Sequence, residues 1–147
     1  MGAKGTMKII SKRQILSTFV SDVVAKFQEV TNRFGFVIKS SEISPPDMWI
    51  IFKNDAGVEL TVDFEWGGLL SLVVSKKGWS LARKGQSHNL GPLISIRAGQ
   101  TSVLYHSPFM DYDSNRISCL LANAASELLT FASDVLEGDF AAFGPQK

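Results

Sequence analysis

The chain has 147 residues and a formal charge of +1, with 45% hydrophobic residues and a single cysteine, Cys119. That length fits one domain spanning 1–147, since single domains cluster near ~100–150 residues, and the charge balance excludes a strong whole-molecule attraction to nucleic acid or an anionic membrane. One cysteine excludes an internal disulfide and favours a reducing cytoplasmic setting, and no apolar run approaches the ~18 residues that a membrane span needs.

The opening MGAKGTMKII lacks the apolar stretch of a signal peptide. Met7 reads as a natural start, which leaves residues 1–6 as a disordered or artificial N-terminus outside the fold. Ser11 and Gln14 have capping-box spacing, in which each side chain satisfies a free backbone donor at a helix start. Leu16, Val20, Val23, Phe27, Val30 and Phe34 then recur at the spacing of one helix face, with Phe19 and Val24 widening the stripe. Gly35 is placed for a left-handed C-cap. A helix is expected over about 11–34.

Phe36 to Lys39 reads as a short strand, and Pro45-Pro46 breaks regular pairing. Met48 to Lys53 is a second strand. Asn54-Asp55-Ala56-Gly57 is a turn. In the run Val58 to Trp66, apolar Val58, Leu60, Val62, Phe64 and Trp66 alternate with Glu59, Thr61, Asp63 and Glu65. A strict period of two over nine residues is a half-buried strand, antiparallel to its predecessor. Gly67-Gly68 turns the chain into a fourth strand, Leu69 to Ser75.

Residues 79–113 carry weaker signals. Trp79 to Ala82 has the pattern of a short strand, Lys84 to Gly91 that of a polar loop, Leu93 to Arg97 that of a strand or helical turn, and Val103 to His106 that of an edge strand. A second long helix is expected over about 114–137. Ile117, Leu121, Ala124, Leu128, Phe131 or Ala132, and Val135 share its face, while Ala122, Ala124 and Ala125 permit close approach of another element. Gly138 fits the stop, and Phe140 and Phe143 fold the tail back. The fold class is α+β: an antiparallel sheet of four to six strands with two long amphipathic helices packed on one face.

Charge is segregated along the chain. Residues 44–75 carry one basic and five acidic groups, and residues 76–106 carry five basic and none acidic. Pairing of opposite charges across neighbouring strands accounts for such a pattern, and so do separate surface patches that meet a partner. The acidic stripe Glu59, Thr61, Asp63 and Glu65 is the candidate partner-binding site, because a row of carboxylates on a sheet suits a basic partner. Lys76, Lys77, Trp79, Arg83 and Lys84 form only a weak basic–aromatic motif. His88, His106, Asp111 and Cys119 lack the spacing of metal ligands, and Cys119 lies in a helix where it reads as a small packing residue. Asp63 and Glu65 could together hold Mg²⁺, but the lysine of a nuclease Asp…(Asp/Glu)-x-Lys core is absent after Glu65. Neither catalytic residues nor a cofactor is expected.

The tail Leu128 to Phe140, LLTFASDVLEGDF, followed by Phe143, resembles the tail of small bacterial proteins of this size. Those proteins combine an N-terminal amphipathic helix, a Trp-containing antiparallel sheet and a closing helix that ends in Leu-x-Gly-Asp-Phe. Some of them look like immunity proteins of polymorphic-toxin or contact-dependent growth inhibition systems. The resemblance implies a non-catalytic cytoplasmic protein that binds and neutralises a cognate protein toxin, with no membrane or nucleic-acid partner. It carries over no functional residue. The alternatives are a small interaction or chaperone-like module and a metal-dependent nuclease-like enzyme.

Overall fold

The apolar stripe of the first helical segment folds as its spacing requires. In the computed structural model, which describes residues 12–44, 47–65, 69–76, 88–99 and 114–143, the segment forms α1 (Lys12–Lys26) and α2 (Gln28–Phe34). The Phe27 amide still donates to the Val23 carbonyl and the Phe27 carbonyl accepts from Thr31, both at 2.8 Å. The junction is therefore an irregular turn within one helical column. Phe19, Val23, Phe27 and Val30 are fully buried, but Val24 is 42% exposed and does not widen the stripe. Gly35 closes the column in the left-handed conformation, φ 71°, with its amide on the Thr31 carbonyl. Ser11, the expected N-cap, lies outside the described residues.

Five antiparallel strands follow in sequence order: β1 (Val37–Ser44), β2 (Asp47–Lys53), β3 (Val58–Glu65), β4 (Leu69–Lys76) and β5 (His88–Asn89). β1 is longer than the expected Phe36–Lys39 and carries a bulge between Ile38 and Ser40. The bulge lets polar Ser40, Ser41 and Glu42 continue the ladder without a strong alternation in the sequence. The inner face of the central strands is apolar up to Lys76 at the end of β4: Met48, Ile50 and Phe52 of β2, Val58, Leu60, Val62 and Phe64 of β3, and Leu70, Leu72 and Val74 of β4 are all buried.

Three further helices close the domain: α3 (Leu90–Ala98), α4 (Ser114–Phe131) and α5 (Ser133–Leu136), with a 3₁₀ turn at Ala141–Phe143. α4 packs against α1, α2 and α3, and α3 packs against β4. The buried residues of all the helices join the inner sheet face in a single cluster. The α4–α5 column carries its apolar face as read: Ile117, Leu121, Ala124, Leu128, Ala132 and Val135 are buried. Cys119 is exposed, not packed, because it lies on the solvent side of that column. His88 and Asn89, read as part of a polar loop, pair with Val74 and Val73. The Asn89 side chain then caps α3 by accepting from the Gly91 amide at 2.8 Å. Thus Leu93 to Arg97 is helical. The stretches Trp79 to Ala82 and Val103 to His106, the Gly67-Gly68 turn, Pro45-Pro46 and residues 1–6 lie outside the described residues.

Asn54 ties the end of the domain together. Its amide nitrogen donates to the carbonyls of Phe34 and Leu136, at 3.1 and 3.0 Å, which are the last residues of α2 and α5. Its amide oxygen accepts from the Ala56 and Val58 amides and so shapes the β2–β3 turn. One side chain thereby satisfies two orphan helix carbonyls and a hairpin. Lys76 donates to the Gly138 carbonyl from the other side.

Candidate functional site: the outer face of the sheet

The strand register orders the outer face into rows. Because each strand alternates, residues directly opposite one another on neighbouring strands share a face, at ~4.8 Å between strands and ~7 Å between rows. The first row is Ser44, Asp47 and Glu65, and the second is Glu42, Trp49, Asp63 and Ser71. The third is Ser40, Ile51, Thr61, Val73 and Asn89. The fourth is Val37, Lys53, Glu59 and Ser75.

All four residues of the expected stripe lie on this face, and all four are half-buried. The rows nevertheless separate them. Glu59 stands opposite Lys53 and binds Lys39, the bulge residue of β1, at 2.6 Å. Both partners of that pair are solvated, so it adds less than ~1 kcal/mol. Thr61 sits between Ile51 and Val73 in an apolar middle. Asp63 and Glu65 belong instead to an acidic end shared with Asp47 and Glu42, which gather around Trp49. Cross-strand charge pairing therefore describes the Glu59 end, while Asp47 directly opposite Glu65 sets like charges against each other, an unfavourable pair on a sheet.

Asp63 is the most perturbed acid at this end. One carboxylate oxygen, Oδ1, is shielded from solvent and has no hydrogen-bond partner among the described residues. Burial, then the charges of Asp47 and Glu65, raise its pKa from 3.8 to about 6. Each of these causes disfavours the ionised form, so near neutral pH the fold carries this charge at a cost. The outer face can thus offer a cation an aromatic ring together with one carboxylate, Asp63, that gains from being neutralised. Among the described residues, no group of three or more His, Cys, Asp and Glu side chains is placed to hold a metal ion.

Asp47, Glu42 and Trp49 are missing from a reading of β3 alone. Their place was latent in the hairpin: a turn at Asn54–Gly57 pairs Lys53 with Glu59, and counting back along both strands sets Asp47 against Glu65. The Glu42 position needed the β1 bulge, which has no sequence signature.

No protein-family model, curated protein or solved structure matches this chain. The tail motif has structural work in this fold. Leu136 is buried and its carbonyl meets Asn54. Gly138 turns the chain at φ 103°. The Asp139 carboxylate accepts from the Ala141 amide at 3.0 Å, and Phe140 is buried. Among the described helices, none is long and apolar enough to cross a membrane.

Proposed function

We propose that this protein is a non-catalytic inhibitor that docks a basic protein partner on the outer face of its sheet. In this reading it acts in the bacterial cytoplasm as the immunity protein of a toxin system. Asp63 carries the reading: an ionised carboxylate with a shielded, unpartnered oxygen between two further acids costs the fold stability, and a cationic partner would relieve that cost. Perturbed groups of this kind concentrate at functional sites. Trp49 in the midst of the acids suits an interface anchor, since tryptophan is enriched where binding energy concentrates. A toxin that cleaves nucleic acid carries a basic groove for phosphates, and the acidic end of the sheet would occupy that groove in their place.

The test begins with the genes beside this one: the reading requires a toxin domain among them, and the lack of one would count against it. Reversing Asp63 and Glu65 together to Lys should leave the circular dichroism spectrum unchanged but abolish protection of cells that express the toxin. Like charges placed in an interface cost several kcal/mol, enough to lower affinity by orders of magnitude. A folded double variant that protects as well as the original would remove the acidic end from the site.

A further inference from the structure

The C-terminal turn is held by an aromatic contact whose centre can take up a proton. The His88 imidazole lies flat against the Phe143 ring, with centroids 4.2 Å apart and planes 5° from parallel. Phe140 meets His88 edge-on at 6.1 Å and meets Phe143 edge-on at 5.3 Å. Phe140 is buried in the core, whereas Phe143 packs against the core from the outside. His88 belongs to β5, a strand of two residues held to β4 through Val73 and Val74. The trio therefore joins the end of the chain to the sheet at a weakly anchored strand.

His88 Nε2 is shielded from solvent and has no hydrogen-bond partner among the described residues. Whichever tautomer the neutral ring adopts, the charged ring must carry N–H on Nε2, and among the described residues that group would face no acceptor. The described charged residues of the neighbouring elements do not supply one. Lys76, at the end of β4, donates to the Gly138 carbonyl and would repel an imidazolium. Asp139 accepts from the Ala141 amide within the turn. Asp134 of α5 is bound in two places by Arg97 of α3, and Glu137 is exposed at the end of α5.

We propose that His88 is an acid-released catch: the neutral ring clamps Phe140 and Phe143 and so holds the turn 139–143 against the sheet, and the protonated ring lets the turn go. Burial lowers the His88 pKa from 6.5, in keeping with a ring that is docked neutral. Stacking a cation on the Phe143 face favours the charged ring slightly, but a shielded N–H without an acceptor opposes it more strongly. By linkage, docking of the turn is complete above the ordinary histidine range. It weakens as pH falls from 6.5 through the lowered value, and each unit of lowering multiplies the opening constant by about ten.

The experiment follows amide hydrogen exchange in residues 139–143 across that pH range, corrected for intrinsic rates, alongside an NMR titration of the His88 ring. Opening should rise on acidification in the native protein and stay constant in His88→Phe, which keeps a ring without a titrating nitrogen. Phe143→Ala should move the His88 midpoint up toward its ordinary value, an outcome readable without the first variant. Protection that persists once the NMR signals show a charged His88 would overturn the proposal. So would an equal acid response in His88→Phe, or a midpoint that does not move in Phe143→Ala.

Discussion

Replacing Asp63 with Asn should stabilise the protein at neutral pH and do nothing in acid. The sign follows from the raised pKa. A carboxyl whose folded-state pKa lies above its ordinary value favours the fold while protonated, and that advantage is lost as pH rises through the folded value. For Asp63 the window runs from 3.8 to about 6. A rise of about two units corresponds to ~3 kcal/mol at 1.36 kcal/mol per unit. The side chain is only half-buried, so solvent screening reduces the expected gain to roughly 1–2 kcal/mol. Asparagine keeps the shape and removes the charge that Asp47 and Glu65 oppose. Urea unfolding of both proteins at about pH 3 and about pH 7.5 measures the difference. The two curves should coincide at the lower pH, and the variant should be more stable at the higher one. A variant less stable than the native protein at both pH values would refute the argument, because it would mean that Asp63 makes a favourable contact in the folded state.

Two structural predictions stand beside this one. Asn54→Ala removes the donor to two helix-end carbonyls and the acceptor for two turn amides, and should cost roughly 2–4 kcal/mol at ~1 kcal/mol per partly buried bond; a loss below ~1 kcal/mol in denaturant unfolding would show that water replaces these bonds freely. Phe27→Ala and Leu128→Ala each empty a fully buried site and should each cost ~2–5 kcal/mol, with calorimetric melting temperatures falling together with the denaturant midpoints.

The elements with strong periodicity were legible from residue order. Both helical columns, the hairpin of β2 and β3, and the strand after it lie where the pattern of apolar residues sets them, because burial of one face fixes period and register together. The irregular turns at Phe27 and Ala132 left no mark, since backbone hydrogen bonding continues across both. β1 extends beyond its sequence signal because its polar middle alternates weakly and a bulge absorbs Lys39. His88 and Asn89 resembled a loop because so short a strand has no period, and its partner strand decides its state. For Cys119, position within an amphipathic helix does not fix burial, and its angle around the axis sets it outside. For the candidate face, the β3 stripe was visible at once, but the sequence could not show that its two ends differ. Glu59 is drawn to Lys39 by the β1 bulge, and Asp63 becomes perturbed only when β2 brings Asp47 alongside.

The sequential order of the sheet also bears on how the chain reaches this structure. Each strand pairs with the next along the chain, so the β1–β4 ladders close only short loops, and closure cost grows slowly with loop length. The packing of α1 on α4 is different, because it joins the two ends of the described chain. Contacts of that span slow folding, since their entropy must be lost before the contact rewards it. The ladders of the meander therefore carry the low closure cost and the α1–α4 contact the high one. Lengthening the loops between neighbouring strands should thus change the folding rate less than weakening the α1–α4 contact does.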